Sequence, residues 1–282
     1  MTVDLHIHST ASDGAHAPET LVRMAADAGL AAIAIADHDT VAAIPAAQLE
    51  SSRIGGPRVL TAVELSARAS DGRSVHVLGY HLDPTSNALQ AFLEAQRAER
   101  LRRAERMVES LAKAGYPVTV ASVLAHANGG SVGRTHVALA LVHNGAVPSV
   151  GAAFAELIGR GKPHYVPKEV PDVVEVIDLV HSAGGLAVLA HPAVSGVLDL
   201  VEPLAAAGLD GVEAYHAQHT ATQREDVADL ARRSGLAATG GSDFHGHPGD
   251  TAYIGAGEAP DAVLDELDAR LGRPSGQDER TS

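Results

Sequence analysis

Seven short apolar runs in this 282-residue chain carry a His, Asp or Glu at or just beyond one end. They are Val3–Leu5, Ala31–Ala36, Arg58–Val63, Val75–Tyr80, Leu186–Ala190, Gly211–Ala214 and Ala237–Thr239. Between them, Pro18–Ala28, Val41–Glu50, Val173–Ala183, Leu198–Ala207, Ala221–Ser234 and Asp261–Leu271 show helical spacing of apolar residues. Strands alternating with helices predict βαβ units, an α/β fold and a largely parallel sheet. The length suits an α/β barrel of roughly 250 residues.

The middle of the chain differs. From Asn87 to about Gly161 no strand signal occurs. Asn87–Gly115 reads as one long helix, with shorter ones at Thr119–Ala127, Thr135–Asn144 and Val150–Gly159. The expected division is an α/β unit from 1–86 and 162–272, a helical insertion at 87–161, and a polar, disordered tail at 273–282. Inside the insertion, Arg97–Arg106 mixes charges at helical spacing. That suits either a solvated face or a basic approach surface for an anionic substrate.

The strand ends carry the chemistry. His6 and His8 follow the first run, and Asp37, His38 and Asp39 the second. Glu64 ends the third, His76 lies in the fourth, and His191 follows the fifth. Glu213 and His216 close the sixth, and Asp243 and His245 follow the last. In a parallel barrel the strand C-termini converge on one face, where active sites are built. The chain has 16 His and no Cys. Imidazole and carboxylate suit Zn, Fe or Mn, and so many in one place need cations to offset their charge. A His-x-His pair on a strand points two ways, so both residues can ligate only where the strand ends and turns. The lack of Cys excludes a disulfide scaffold, a Cys zinc site and thiol catalysis. A net charge of −14 argues against a broad nucleic-acid-binding surface, but not against a small anion captured by metals. No apolar run approaches the ~18 residues of a membrane span, and no cationic-then-apolar leader opens the chain. The expectation is a soluble, cytoplasmic protein with no membrane or protein partner signalled.

The segments DLHIHSTASDG, IADHD, VELS, VHVLGYHLD, LAHP and GSDFHG resemble, in order, the motifs of the PHP (polymerase and histidinol phosphatase) family of metal-dependent phosphoesterases. The resemblance implies a distorted (β/α)7 barrel holding two or three divalent metal ions (Mn, Fe or Zn). It places nine ligands on His6, His8, Asp13, His38, Glu64, His76, His191, Asp243 and His245. One ion would sit on His6, His8, Glu64 and Asp243. A second would share Glu64 with His76 and His191. A third would take Asp13, His38 and His245; position 13 is His in some relatives.

GSVGRTHVALAL and GVEAYHAQHT are similar to a branch acting on 3′,5′-bisphosphonucleotides and short 5′-phosphorylated RNA or DNA ends. Arg134 and His136 match its Arg-x-His, with Thr135 where Pro is common. The implied reaction is attack on phosphorus by a hydroxide shared between metals. His216 is the candidate catalytic acid. Arg134, His136 and His219 are candidate substrate contacts, with Ser9 and Lys168 as further phosphate contacts. Asp37 and Asp39 are expected to orient ligand imidazoles. His16, His81, His126, His143, His164, His181 and His247 are assigned to surfaces or packing. A histidinol-phosphate phosphatase and a non-catalytic metal-binding module remain as alternatives.

Overall fold

The computed structural model describes residues 2–272; the expected tail at 273–282 lies outside the described residues. In chain order the elements are β1 (Thr2–Ile7), α1 (Pro18–Asp27), β2 (Ala32–Ile35), α2 (Ile44–Ile54), β3 (Arg58–Leu60), β4 (Ala62–Arg68), β5 (Ser74–Tyr80), α3 (Asn87–Lys113), α4 (Val120–Ala127), α5 (Arg134–His143), α6 (Val150–Ala153), α7 (Val173–Ser182), β6 (Leu186–Leu189), α8 (Pro192–Ser195), α9 (Val201–Ala206), β7 (Gly211–His216), α10 (Ala221–Arg233), β8 (Ala237–Gly241), β9 (Ala259–Pro260) and α11 (Ala262–Arg270). This is a mixed α/β fold. No helix among the described residues is long and apolar enough to cross a membrane.

Two sheets lie at the centre, ordered β3-β2-β1-β9 and β4-β5-β6-β7-β8. The β1–β2, β2–β3, β6–β7 and β7–β8 pairs are parallel, as the alternation predicts. The β4–β5 and β5–β6 pairs are antiparallel, which corrects the expectation of a largely parallel sheet. The cause is the β4–β5 connection. It spans only Ala69–Arg73, closes with the Ala69 N–H on the Arg73 carbonyl (2.8 Å), and turns at Gly72 (φ 87°). A parallel pair would need a crossover of a dozen or more residues. The reversal has a functional result: an early position of β5, His76, reaches the end of the sheet to which the parallel strands bring their C-termini. The predicted single strand Arg58–Val63 also breaks, at Thr61, so that β3 pairs with β2 and β4 with β5.

The five-stranded sheet meets the other at both of its own edges, beside β4 and after β8. Ile7 bridges to Phe244 and His38 bridges to Glu64, both in parallel sense. Along β2, Ala32 and Ala34 face one apolar cluster with Leu5, Leu78 and Val188, while Ile33 and Ile35 pack under α1. The helical segment has its own cluster around Met107, Leu111, Val137 and Leu141. Helix α3 spans both: Leu89 and Leu93 pack on the sheet, and Ala104–Leu111 in the helical cluster. At 1.5 Å per residue its 27 residues reach about 40 Å. Its middle, with the buried Gln96, Glu99 and Arg100, is therefore held beside the strand ends.

Candidate metal centre

The two sheet edges converge where the chain leaves the strands. His6 is inside β1 and His8 just past it, after a register shift between Asp4 and Ile7. The shift and the strand end let both rings face the same way, with their Nε2 atoms 3.2 Å apart. Gly241 makes room: a Cβ there would lie 2.4 Å from the His6 Cβ. Asp39, His191 and Asp243 all adopt positive φ (53°, 33° and 53°) without being Gly. Such backbone is uncommon and costly, and it gathers at functional sites.

All nine expected ligands come together. Glu64 is central. Its Oε2 lies 2.8 Å from His38 Nδ1, 3.4 Å from His8 Nε2 and 3.5 Å from His6 Nε2. Its Oε1 lies 2.7 Å from His76 Nδ1 and 3.2 Å from His191 Nε2. Asp243 Oδ1 stands 3.1 Å from His8 Nε2, and Asp13 Oδ1 3.5 Å from His245 Nε2. Three sets could each hold an ion: His8, Asp13, His38 and His245; His6, His8 and Glu64; and His38, Glu64 and His76. His8 and His38 each belong to two sets, so the geometry allows more sharing than the expected allocation.

These side chains fit divalent ions. His8 Nδ1, Asp13 Oδ1, His38 Nδ1, Glu64 Oε2 and His76 Nδ1 are buried without a hydrogen bond. Buried polar atoms are rarely left so, because each costs about 1–3 kcal/mol. Burial alone would raise the carboxyls, but the surrounding imidazoles hold Glu64, Asp13 and Asp243 well below their usual range. Burial lowers His8 and His76, which favours the neutral, ligating form. Burial opposes protonation of His245, yet Asp13 raises it to about 10.

Glu213, on β7, is buried. Its Oε1 lies 3.1 Å from His6 Nδ1 and its Oε2 accepts the His191 N–H (2.7 Å). It thus orients one ligand ring and the backbone of another, as such outer carboxylates do. Asp37 and Asp39 do not orient imidazoles, contrary to expectation. Asp37 accepts from Ser9 N and Oγ and from Ser12 Oγ, which pins the loop carrying Asp13. Ser9, fully buried in that bond, is therefore not a phosphate contact. Asp39 accepts from Arg100 Nε (2.5 Å) and Lys168 Nζ (2.6 Å). His247, half-buried, donates from Nε2 to the Asp13 carbonyl (2.6 Å).

A cavity of about 250 Å³ opens onto Asp13, His38 and His76. Among the described residues, six cations line it, Arg68, Arg100, Arg103, Arg134, Arg160 and Lys168, against Asp13 as the one lining carboxylate. Two of them, Arg100 and Arg103, come from the mixed-charge Arg97–Arg106 segment. The Arg134 guanidinium carbon lies 5.1 Å from the Phe154 ring centre and 5.8 Å from that of Tyr165. His136 and His219 do not reach the cavity wall. His136 Nδ1 accepts the Gly133 N–H and caps α5, and His219 Nδ1 donates to the Ala214 carbonyl. His216 is fully buried beside the centre, its Nε2 3.7 Å from Asp243 Oδ2.

The model of the PHP domain matches residues 4–158. Over 248 residues, 86% of this chain and 84% of the relative, the chain is 39% identical to the 5′-3′ exoribonuclease Rnm of Salmonella typhimurium. Over 289 residues, 97% of this chain and 99% of the relative, it is 36% identical to the 3′,5′-nucleoside bisphosphate phosphatase of Chromobacterium violaceum. A solved structure from Bifidobacterium adolescentis, described as a candidate metal-dependent phosphoesterase, superposes with a TM-score of 0.88 at 36% identity, covering 96% of this chain and 98% of that one. A match of this extent, in sequence and in structure alike, means that the chain belongs to the PHP family of metal-dependent phosphoesterases.

Proposed function

We propose that the protein hydrolyses nucleotide phosphomonoesters. Its substrates would be 3′,5′-bisphosphonucleotides, cleaved to a 5′-mononucleotide and phosphate, and short 5′-phosphorylated oligonucleotides. The observation that carries this reading is the cleft in which six cations lead to Asp13, His38 and His76 of the candidate centre. Two phosphates on one small molecule suit that field. Histidinol phosphate, with a cationic amine, does not. The names of the Salmonella and Chromobacterium relatives agree with the choice. The two sheets would act as one distorted (β/α)7 barrel, with β3 and β4 as a single bent strand and 87–161 as the insertion that roofs the cleft.

Two or three divalent ions (Mn, Fe or Zn) on His6, His8, Asp13, His38, Glu64, His76, His191, Asp243 and His245 would neutralise phosphate oxygens and acidify water. Arg134 grips a phosphate through its paired N–H groups, with Phe154 and Tyr165 fixing its plane. His216 Nδ1 accepts the Gln218 N–H (3.1 Å), so the neutral ring carries its proton on Nε2, facing the centre. There it is placed to protonate the leaving oxygen. His136 holds the start of α5, and with it Arg134, in place. His219 packs behind His216, ring centres 5.2 Å apart.

The test is phosphate release from adenosine 3′,5′-bisphosphate and from histidinol phosphate, side by side, after Mn²⁺ reconstitution. Preference for the nucleotide is expected. Faster turnover of histidinol phosphate would overturn the substrate reading, and release from neither would overturn the activity.

Two further results are expected of the cleft. Arg134→Ala should raise KM by about 10–100-fold, since hydrogen bonds to charged groups are worth roughly 1.5–3 kcal/mol. Its kcat and metal content should stay unchanged, and loss of metal would make Arg134 structural. Lys168 is lowered to about 8, first by burial and then by Arg100, with Asp39 opposing. It is a cation below that pH and neutral above it. KM for the nucleotide should therefore rise as pH passes 8. Lys168→Arg should flatten the profile, because guanidinium keeps its charge.

A further inference from the structure

Thr135 is where the helical segment touches the ligand set. It is the second residue of α5, and its Oγ1 donates to Asp13 Oδ2 at 3.0 Å. The other oxygen, Asp13 Oδ1, is buried and accepts no hydrogen bond. That oxygen is the one near His245 Nε2 (3.5 Å) and His8 Nδ1 (3.9 Å). The backbone around Asp13 is fixed on both sides. The Gly14 N–H donates to the Ser9 carbonyl (2.9 Å), and His247 Nε2 donates to the Asp13 carbonyl (2.6 Å). Ser12 Oγ donates to Asp37 (2.5 Å). What remains free are the two side-chain torsions of Asp13, about Cα–Cβ and Cβ–Cγ, which decide the oxygen presented to a cation. The Thr135 hydroxyl occupies one oxygen and leaves the other for the centre.

We infer that Thr135 is a positioning residue that holds Asp13 as a one-oxygen ligand, so that the helical segment sets the affinity of one ion site. That site is the one built from His8, Asp13, His38 and His245. The inference rests on the metal-centre reading of those four residues. It gives the roof of the cleft a second task beyond carrying Arg134: the same first turn of α5 faces the substrate with one residue and steadies a metal ligand with the next.

The experiment is a calorimetric titration of the metal-free, full-length protein with Mn²⁺, with bound metal counted by elemental analysis. It compares wild type, Thr135→Val and Thr135→Ser. Val keeps the shape and removes the donor, while Ser keeps the donor. Circular dichroism and Tm of the metal-free proteins report folding. Thr135→Val should weaken one ion site by about 10–100-fold, the usual effect of losing a ligand's orienting partner. The other sites and the metal-free Tm should be unchanged, and Thr135→Ser should bind like wild type. Wild-type affinity at every site in Thr135→Val would overturn the inference. So would an equal weakening of all sites with a lowered Tm, or a Ser variant no better than Val. A wild-type protein that binds no Mn²⁺ would overturn the metal-centre reading itself and this inference with it, a failure distinct from the others.

Discussion

Glu64→Ala should lower kcat/KM by about 10³-fold or more, because a bound ion supplies several kcal/mol of transition-state stabilisation and each 1.4 kcal/mol is tenfold. Five imidazoles face this one carboxylate: His6, His8 and His38 at Oε2, His76 and His191 at Oε1. Removing it takes an oxygen from two of the three candidate ion sets at once. Asp13→Ala touches only one set and should cost less. Activity and metal content measured on both variants decide the matter. Near-normal rates and full metal in Glu64→Ala would show that Glu64 does not bridge.

His216→Asn should lower kcat by about 10²–10⁴-fold, the range of a lost general acid, with KM and metal content unchanged. The ring is fully buried, its Nδ1 is occupied by the Gln218 N–H, and its Nε2 has no hydrogen-bond partner. Apart from Asp243 Oδ2 at 3.7 Å, that atom is left for a group entering the centre. A p-nitrophenyl phosphate ester offers a leaving group that needs no proton, so the same substitution should hardly change its hydrolysis. An equal loss on both substrates, or loss of metal, would assign His216 to holding Asp243, 3.7 Å away.

Most of the nine candidate ligand positions were legible because their signal is local; Asp13 came only with the family resemblance. Apart from Asp13, in the loop after β1, each is a His, Asp or Glu in or beside a predicted strand, and strand ends in such a fold have one place to meet. The direction of β5 was less visible, although Asp71-Gly72 is a turn signal. Periodicity marks strands but not their sense, and only the brief Ala69–Arg73 link excludes a crossover. Glu213 stood in plain view at a strand end, but the sequence cannot show that its oxygens spend themselves on His6 and His191 rather than on an ion. Asp37 and Asp39 look alike beside His38. Asp37 takes Ser9 and Ser12 from the loop after β1, whereas Asp39 takes Arg100 of α3 and Lys168, far away in sequence. The cationic cleft was only half legible for the same reason. Arg100 and Arg103 belong to a helix whose charges suit a solvated face or a basic approach surface equally, and only the reach of α3 across two cores carries them to the strand ends.

The central claim is that these nine side chains hold divalent ions. Anomalous diffraction from crystals grown with Mn²⁺ tests it directly. Two or three peaks are predicted among His6, His8, Asp13, His38, Glu64, His76, His191, Asp243 and His245, with Glu64 touching two of them. Well-ordered crystals with no peak among these residues would contradict the account.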